Sequence, residues 1–369
     1  MRIPQILSPV ASFKGAVEVI SAGADEIYCA VKTPGVMHVL NRPHSCCVPT
    51  YGELGRIADH ARSKGVGTVV TLELPFISEF MVAPMKEHIS HCLGEGIDAL
   101  IAGDIGLITL IRDMGLDIPI YASTLLAATN YQAVDFIRKL GVSRVILERL
   151  VSIDEIGEVV QRNEEVEIEV FAHGGGCSNI NANCYLRMAR TPPAAYREVV
   201  RGIKGRITPC RWSFDIYEFG SGGRKLARVP ILDAFTFCSL CQLPDLIETG
   251  ASGIKIVGRC MPLAYQVKAT EIYRNLVDLV ELGLKSSFNR AWRRRFRRMI
   301  ESFKEAPFGP GQRNPDGSWP TPGSHRDVVC AEGRCYYSPL FYTPHRPSDS
   351  HSRVSWETPQ RGWPKAEGV

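Results

Sequence analysis

The sequence predicts an α/β chain of the (β/α)8, TIM-barrel-like class, with a cysteine-rich insertion after its seventh strand and an irregular C-terminal tail. Three observations predict it. Short apolar runs alternate with helical patterns eight times between residues 5 and 283. The runs are mostly continuous, as parallel strands covered on both faces require. Several helical patterns close on a glycine (Gly23, Gly65, Gly115, Gly141), the residue that most easily takes the left-handed conformation beyond a helix end.

The predicted strands cover residues 5–7, 26–29, 67–71, 99–101, 119–122, 144–147, 167–171 and 253–257. Helical patterns lie between them at 13–24, 51–65, 107–115, 131–141 and 152–162, and a last one follows at 263–283. Ser152 and Glu155 predict a capping box at the start of the fifth of these. An open, doubly wound sheet is the alternative, but no glycine-rich dinucleotide fingerprint follows the first strand. The closed barrel is favoured, and it places function on loops after the strands' C-terminal ends.

The regular spacing breaks once, between Phe171 and Gly253. The predicted organisation is a barrel over 1–285 that includes a cysteine-rich insertion at 174–245. A basic helix and a Pro/Gly-rich extension follow over 286–369. Composition agrees with ordinary globular material, at 45% hydrophobic and 22% charged residues in 369. No apolar run reaches the roughly 18 residues of a membrane span. The N-terminus reads as a first strand and not as a signal peptide, which predicts a cytoplasmic protein. Twelve cysteines in such a chain predict reduced thiols and metal ligation over a disulfide framework. The formal charge of +4 decides nothing about partners.

The insertion gathers Cys177, Cys184, Cys210 and the pair Cys238 and Cys241 in loop-like sequence. Thiolates select zinc or iron–sulfur clusters over hard ions. Structural zinc favours two tight knuckles. Here only Cys238-x2-Cys241 is one, so the spread favours iron–sulfur. Cys29, Cys92 and Cys260 read as core residues, Cys46 and Cys47 as reserve ligands after strand two, and Cys330 and Cys335 as free thiols or a second small site.

At the strand ends, His173, Asp104, Ser123, Thr124 and Arg149 are placed to face the barrel mouth, with Lys255 and Arg259 on and after the last strand. Together they predict a partly cationic pocket suited to a carboxylate or phosphate. Each alone reads equally as a cap, an ion pair or a satisfied histidine. The sequence holds neither a Ser–His–Asp signature nor H-E-x-x-H. The segment NRAWRRRFRRMI, residues 289–300, interleaves six arginines with Trp292 and Phe296. It reads as a solvated helix face with buried aromatics, or as an RNA-binding or acidic-partner surface.

At EVFAHGGGCSNINANC, residues 169–184, the chain resembles the collagenase-like peptidase U32 family. The opening QILSPVASFKGAVEVISAGADEIYCAV, the element PCRWSF and the segment IKIVGRCMPLAYQVKATEIYR are similar to the family's corresponding motifs. Arg206 stands where the family has another cysteine, and Val257 where it has an acid. The resemblance covers roughly residues 3 to 280 and not the tail. It implies an iron–sulfur protein supporting oxygen-independent hydroxylation of an aromatic ring, such as a ubiquinone precursor, or of an RNA base. A prephenate-like hydroxyl donor and a homologous partner subunit are also implied. By position, Cys177, Cys184, Cys210 and Cys238 would hold a 4Fe-4S cluster, with Cys241 competing for the last place. His173, Arg149, Lys255 and Arg259 would form the catalytic pocket. The family name also implies a peptidase, and a non-catalytic RNA-binding or assembly partner is the third reading.

Overall fold

Eight parallel strands close into a barrel in the order 5–9, 253–256, 167–173, 144–146, 120–122, 99–102, 67–71 and 26–29. The computed structural model describes residues 2–32, 46–72, 74, 76–174, 180, 213–217, 224–230, 238–285, 290–305, 307–308 and 323–324. The barrel strands are β1 (Gln5–Pro9), β2 (Glu26–Cys29), β3 (Gly67–Thr71), β4 (Ala99–Ala102), β5 (Ile120–Ala122), β6 (Arg144–Ile146), β7 (Glu167–His173) and β10 (Gly253–Ile256). Helices α1 (Phe13–Ser21), α2 (Tyr51–Ser63), α3 (Glu79–Gly94), α4 (Ile105–Asp113), α5 (Tyr131–Arg138) and α6 (Ile153–Arg162) alternate with the first seven. The short α7 (Leu243–Glu248) precedes β10, and α8 (Leu263–Lys285) and α9 (Arg290–Glu305) follow it. The expected barrel is therefore present.

Local chemistry explains the element ends. Ser12, Thr50, Asp104 and Asn130 each accept a backbone N–H as N-caps, and Ser152 with Glu155 forms the expected capping box. Asp104 is thus occupied in opening α4, and Ser123 opens a 3-10 turn over Thr124–Leu126. The sequence reading did not single out α3: Pro84 lies inside it and its apolar residues are weakly segregated. Within the insertion, β8 (Ser213–Tyr217) and β9 (Lys225–Pro230) form an antiparallel hairpin that cysteine spacing gave no sign of. No described helix is long and apolar enough to cross a membrane.

Two shells of apolar side chains hold the fold. The outer shell lies between strands and helices and includes Ile6, Ile27, Val70, Leu100, Ile168 and Ile254. The lumen holds Leu7, Tyr28, Val69, Ala99, Ile101, Tyr121, Ile146 and Phe171. Alternate residues of each strand thus serve opposite shells.

One cysteine expectation is corrected. Cys260, expected as a core thiol, forms a disulfide with Cys46, expected as a reserve ligand. The Val31–Val48 bridge brings the loop after β2 back alongside that strand. Cys46 thereby meets the β10–α8 turn, at a Cα–Cα distance of 4.7 Å across 214 residues of sequence. The chain is not a purely reduced-thiol protein. Cys29 and Cys92 are buried as expected, and burial pushes the Cys29 thiol up to about 12.

Candidate functional site at the barrel mouth

The barrel's two ends differ in chemistry. Arg144, the first residue of β6, lies across the N-terminal end at 2% exposure. Its guanidinium pairs with Glu26, with Glu167 at 2.8 Å and with Glu169 at 3.0 Å, and donates to Gln5 Oε1 at 2.9 Å. It also stacks 4.1 Å from the Tyr121 ring centroid, and the Tyr121 hydroxyl donates to Glu26 Oε1 at 2.8 Å. Burial works against the Arg144 charge, but Glu169 and Glu26 outweigh it and hold the guanidinium above its ordinary value. Glu26, Glu167 and Gln5 are likewise first residues of their strands, so the network forms a floor. In barrels that end serves stability.

Lys255 links this floor to the mouth. Its Nζ lies 3.1 Å from Glu169 Oε1 and 4.4 Å from the Tyr28 ring centroid. Burial pulls the ammonium below its ordinary value, while Glu169 opposes that shift. Arg259 stands over the same Tyr28 ring at 5.4 Å and is 4% exposed. Gln266 fixes the turn that carries it, donating from Nε2 to the carbonyls of Gly258, Arg259 and Met261. Across the mouth, Arg149 lies 4.4 Å from the Phe171 ring centroid. Its backbone N–H donates to Glu148 Oε1, and Thr124 donates to Glu148 Oε2 at 2.9 Å, tying the β5 and β6 loops together. Three cations resting on aromatic faces thus surround the lumen's C-terminal end.

His173 ends β7 fully buried, with its Nδ1 3.3 Å from the Tyr273 hydroxyl of α8 and its ring 5.8 Å from that of Tyr265. Gly174 follows at φ +75°, where a Cβ would meet the Val257 carbonyl oxygen at 2.3 Å, so only glycine fits. The Val257 N–H donates to the His173 carbonyl at 2.7 Å, sealing β7 to β10. Asp104, Ser123 and Thr124 serve local structure, through the caps and the Glu148 bond above.

Cys238 bridges His173 in antiparallel fashion, which sets it on the end of β7. It is 6% exposed, and its Sγ accepts the Leu240 N–H at 3.4 Å. The Ser239 backbone and hydroxyl both donate to the Ala172 carbonyl at 3.0 Å, pinning the segment. Cys241 is exposed and lies beside Lys304 and Glu301 of α9. Cys177, Cys184 and Cys210 lie outside the described residues, as do Arg206, Cys330 and Cys335. The described His, Cys, Asp and Glu side chains form no metal-binding group of three or more. The Arg144 floor is the feature sequence reasoning missed. Its signal was Glu167 and Glu169 alternating within an apolar strand.

A sequence profile described as "Peptidase family U32" matches residues 11–312. The "tRNA hydroxylation protein P" of Escherichia coli is 30% identical over 326 residues, covering 76% of this chain and 69% of the relative. The "tRNA hydroxylation protein P1" of Bacillus subtilis is 25% identical over 281 residues, covering 74% and 63%. The "Collagenase" of Porphyromonas gingivalis is 24% identical over 285 residues, covering 74% and 65%. The chain therefore spans less than two thirds of the length of several relatives it matches. Among solved structures, that of the U32 peptidase Mk0906 aligns with a TM-score of 0.44 and 13% identity, over 70% of this chain and 94% of that one.

Proposed function

The chain belongs to peptidase family U32, and from that premise we propose that it carries out or supports oxygen-independent hydroxylation of an RNA base, using a 4Fe-4S cluster at the barrel mouth. The observation that carries this reading is the juxtaposition of a cationic, aromatic-backed pocket (Arg149, Lys255 and Arg259) with a mouth-side strand end that holds Cys238. Relatives named for tRNA hydroxylation, and one named "23S rRNA 5-hydroxycytidine C2501 synthase", favour an RNA base over a free aromatic ring.

Cys177, Cys184, Cys210 and Cys238 would hold the cluster. Cys238 fits that role: its thiol is buried and accepts a backbone N–H, the kind of donor that tunes cluster sulfurs. Cys241 faces α9 instead. When bound, the cluster supplies a one-electron or Lewis-acid centre beside the pocket. Arg149 and Arg259 would bind the carboxylates of an acidic, prephenate-like hydroxyl donor, each through paired N–H groups. Lys255, held below the usual ammonium range by burial, could pass a proton from Nζ at the pocket floor. The aromatic faces of Tyr28 and Phe171 would keep water from these cations.

The test is nucleoside mass spectrometry of RNA from cells that lack the chain. Hydroxylated nucleoside should return with the wild type and fall at least tenfold with Arg149→Ala, consistent with the loss of charged hydrogen bonds worth roughly 1.5–3 kcal/mol each. Unchanged RNA in the deletion strain would sink the reading. The peptidase reading has less support, because His173 is fully buried with its Nδ1 against the Tyr273 hydroxyl. Gelatin cleavage by pure protein would revive it.

A further inference from the structure

The arginine-rich helix α9 takes no part in the site described above, and its two faces have separate roles. Trp292, Phe296, Met299, Ile300 and Phe303 pack into the main core. Trp292 Nε1 donates to the Leu279 carbonyl of α8 at 2.6 Å, and its ring stacks on Phe296 at 5.0 Å. The apolar face is therefore mostly covered, with Met299 and Phe303 also bordering an open hollow. It is not available to enter a lipid surface or a partner's groove, the usual uses of a basic amphipathic helix.

The opposite face carries Arg290, Arg293, Arg294, Arg295, Arg297 and Arg298, all exposed. At 3.6 residues per turn, Arg290, Arg293, Arg294 and Arg297 fall within an arc of about 100°, over a rise of about 10 Å. Arg290, Arg294, Arg295, Arg297 and Arg298 form no ion pair among the described residues. Within the helix, Glu301 pairs with Lys304 at 3.2 Å. Arg295 and Arg298 also line the open hollow, together with Asn275, Ser302, Met299 and Phe303. Its mixed lining suits an unpaired base beside its phosphate. The exposed cations among the described residues of α9 are all arginine, the side chain whose planar fork matches phosphate oxygens in pairs.

Direction supports the same conclusion. Beyond α8 the chain turns back, and the far end of α9 places Lys304 beside Cys241, three residues from Cys238 on the end of β7. A strand lying along α9 would lead toward the mouth.

We infer that the outer face of α9 is an RNA-docking surface that grips the phosphate backbone of the RNA whose base enters the barrel. This rests on the RNA-hydroxylation reading, yet it is tested apart from it. The probe is bulk tRNA, and the readout is fluorescence anisotropy with the full chain from 50 to 200 mM KCl. The triple variant Arg293→Gln/Arg294→Gln/Arg297→Gln should lower the salt slope of log K by about 2 and weaken binding on the order of tenfold, since each phosphate contact contributes about 0.7 to the slope on a single strand. The Arg→Lys triple should keep the slope. A control triple, Lys14→Gln/Lys64→Gln/Lys86→Gln, removes equal charge from α1, the end of α2 and α3 and should bind as wild type. Identical affinity and slope for wild type and the α9 triple would overturn the assignment, as would an effect confined to polyglutamate or phosphatidylserine vesicles. If tRNA binds through α9 but no hydroxylated nucleoside depends on the chain, docking stands and the hydroxylation reading falls. If hydroxylation depends on the chain while the α9 triple binds normally, only the docking surface falls.

Discussion

Lys255 and Glu169 face each other on neighbouring strands inside the barrel, Nζ 3.1 Å from Oε1, at 7% and 0% exposure. Glu169 also receives Arg144 Nη1 at 3.0 Å, so one carboxylate serves two buried cations. Glu169→Gln takes the paired carboxylate from Lys255 and one of three from Arg144, and should destabilise the fold by about 3–5 kcal/mol. Lys255→Met removes a cation while leaving Glu169 its Arg144 partner, and should change stability far less. The double variant should recover part of the Glu169→Gln loss. Urea midpoints of the three variants check this; equal losses for both single changes would refute the ordering.

If the proposed 4Fe-4S cluster is present, Cys238 and Cys241 should separate cleanly in iron content. Anaerobically prepared Cys238→Ser should lose most of its iron and sulfide, and Cys241→Ser should keep both, because only Cys238 sits on the end of β7. Electron paramagnetic resonance of the two variants provides the comparison. The reverse pattern would move the fourth ligand to Cys241.

The Cys46–Cys260 disulfide ties the loop after β2 to the turn after β10. Dithiothreitol should lower the thermal midpoint of the wild type and leave that of Cys260→Ser unchanged. The loss should amount to about 2–5 kcal/mol. A wild-type midpoint indifferent to reductant would show that the crosslink is absent or inert in solution.

His88 gives an acid-sensitivity prediction with a definite sign. It is 3% exposed in α3, its Nδ1 lies 2.9 Å from the Tyr51 hydroxyl, and burial lowers its pKa from 6.5 to about 4. Between those values the unfolded chain binds more protons than the folded one, so stability rises with pH across the window and is lost as pH falls from 6.5 toward 4. The full difference is about 3 kcal/mol. His88→Gln should flatten this part of the profile, measured as urea midpoints from pH 7 to pH 4.

The strands were readable because parallel strands buried on both faces are continuous apolar runs, and Val69-Val70 or Ile254 identify themselves without context. Helices with a sharp apolar stripe and a cap, such as α6 with Ser152, were readable for the same local reason. Helix α3 was not, since Pro84 interrupts it and its apolar residues spread around the axis. The mouth cations could be named from their strand-end positions, but their aromatic supports could not. Tyr28 lies more than two hundred residues from Lys255 and Arg259, and only barrel closure brings them together. The same holds for Arg144 and Glu26, and for the Cys46–Cys260 pair. Each looks like an ordinary strand-end or loop residue until the ring is closed.

The ion network at the foot of the barrel makes the lumen a blind well and not a tunnel. Among the described residues, the network closes the N-terminal end, so the pocket opens toward the C-terminal ends of the strands. For the proposed reaction, in which a small donor gives its hydroxyl to a base on a long RNA, that geometry would impose compulsory order. The donor must be seated before the RNA covers the opening, and its spent remainder stays trapped until the RNA lifts away. On the proposed RNA-hydroxylation reading, turnover would be paced by RNA release, and excess RNA would inhibit by closing the opening on an empty well.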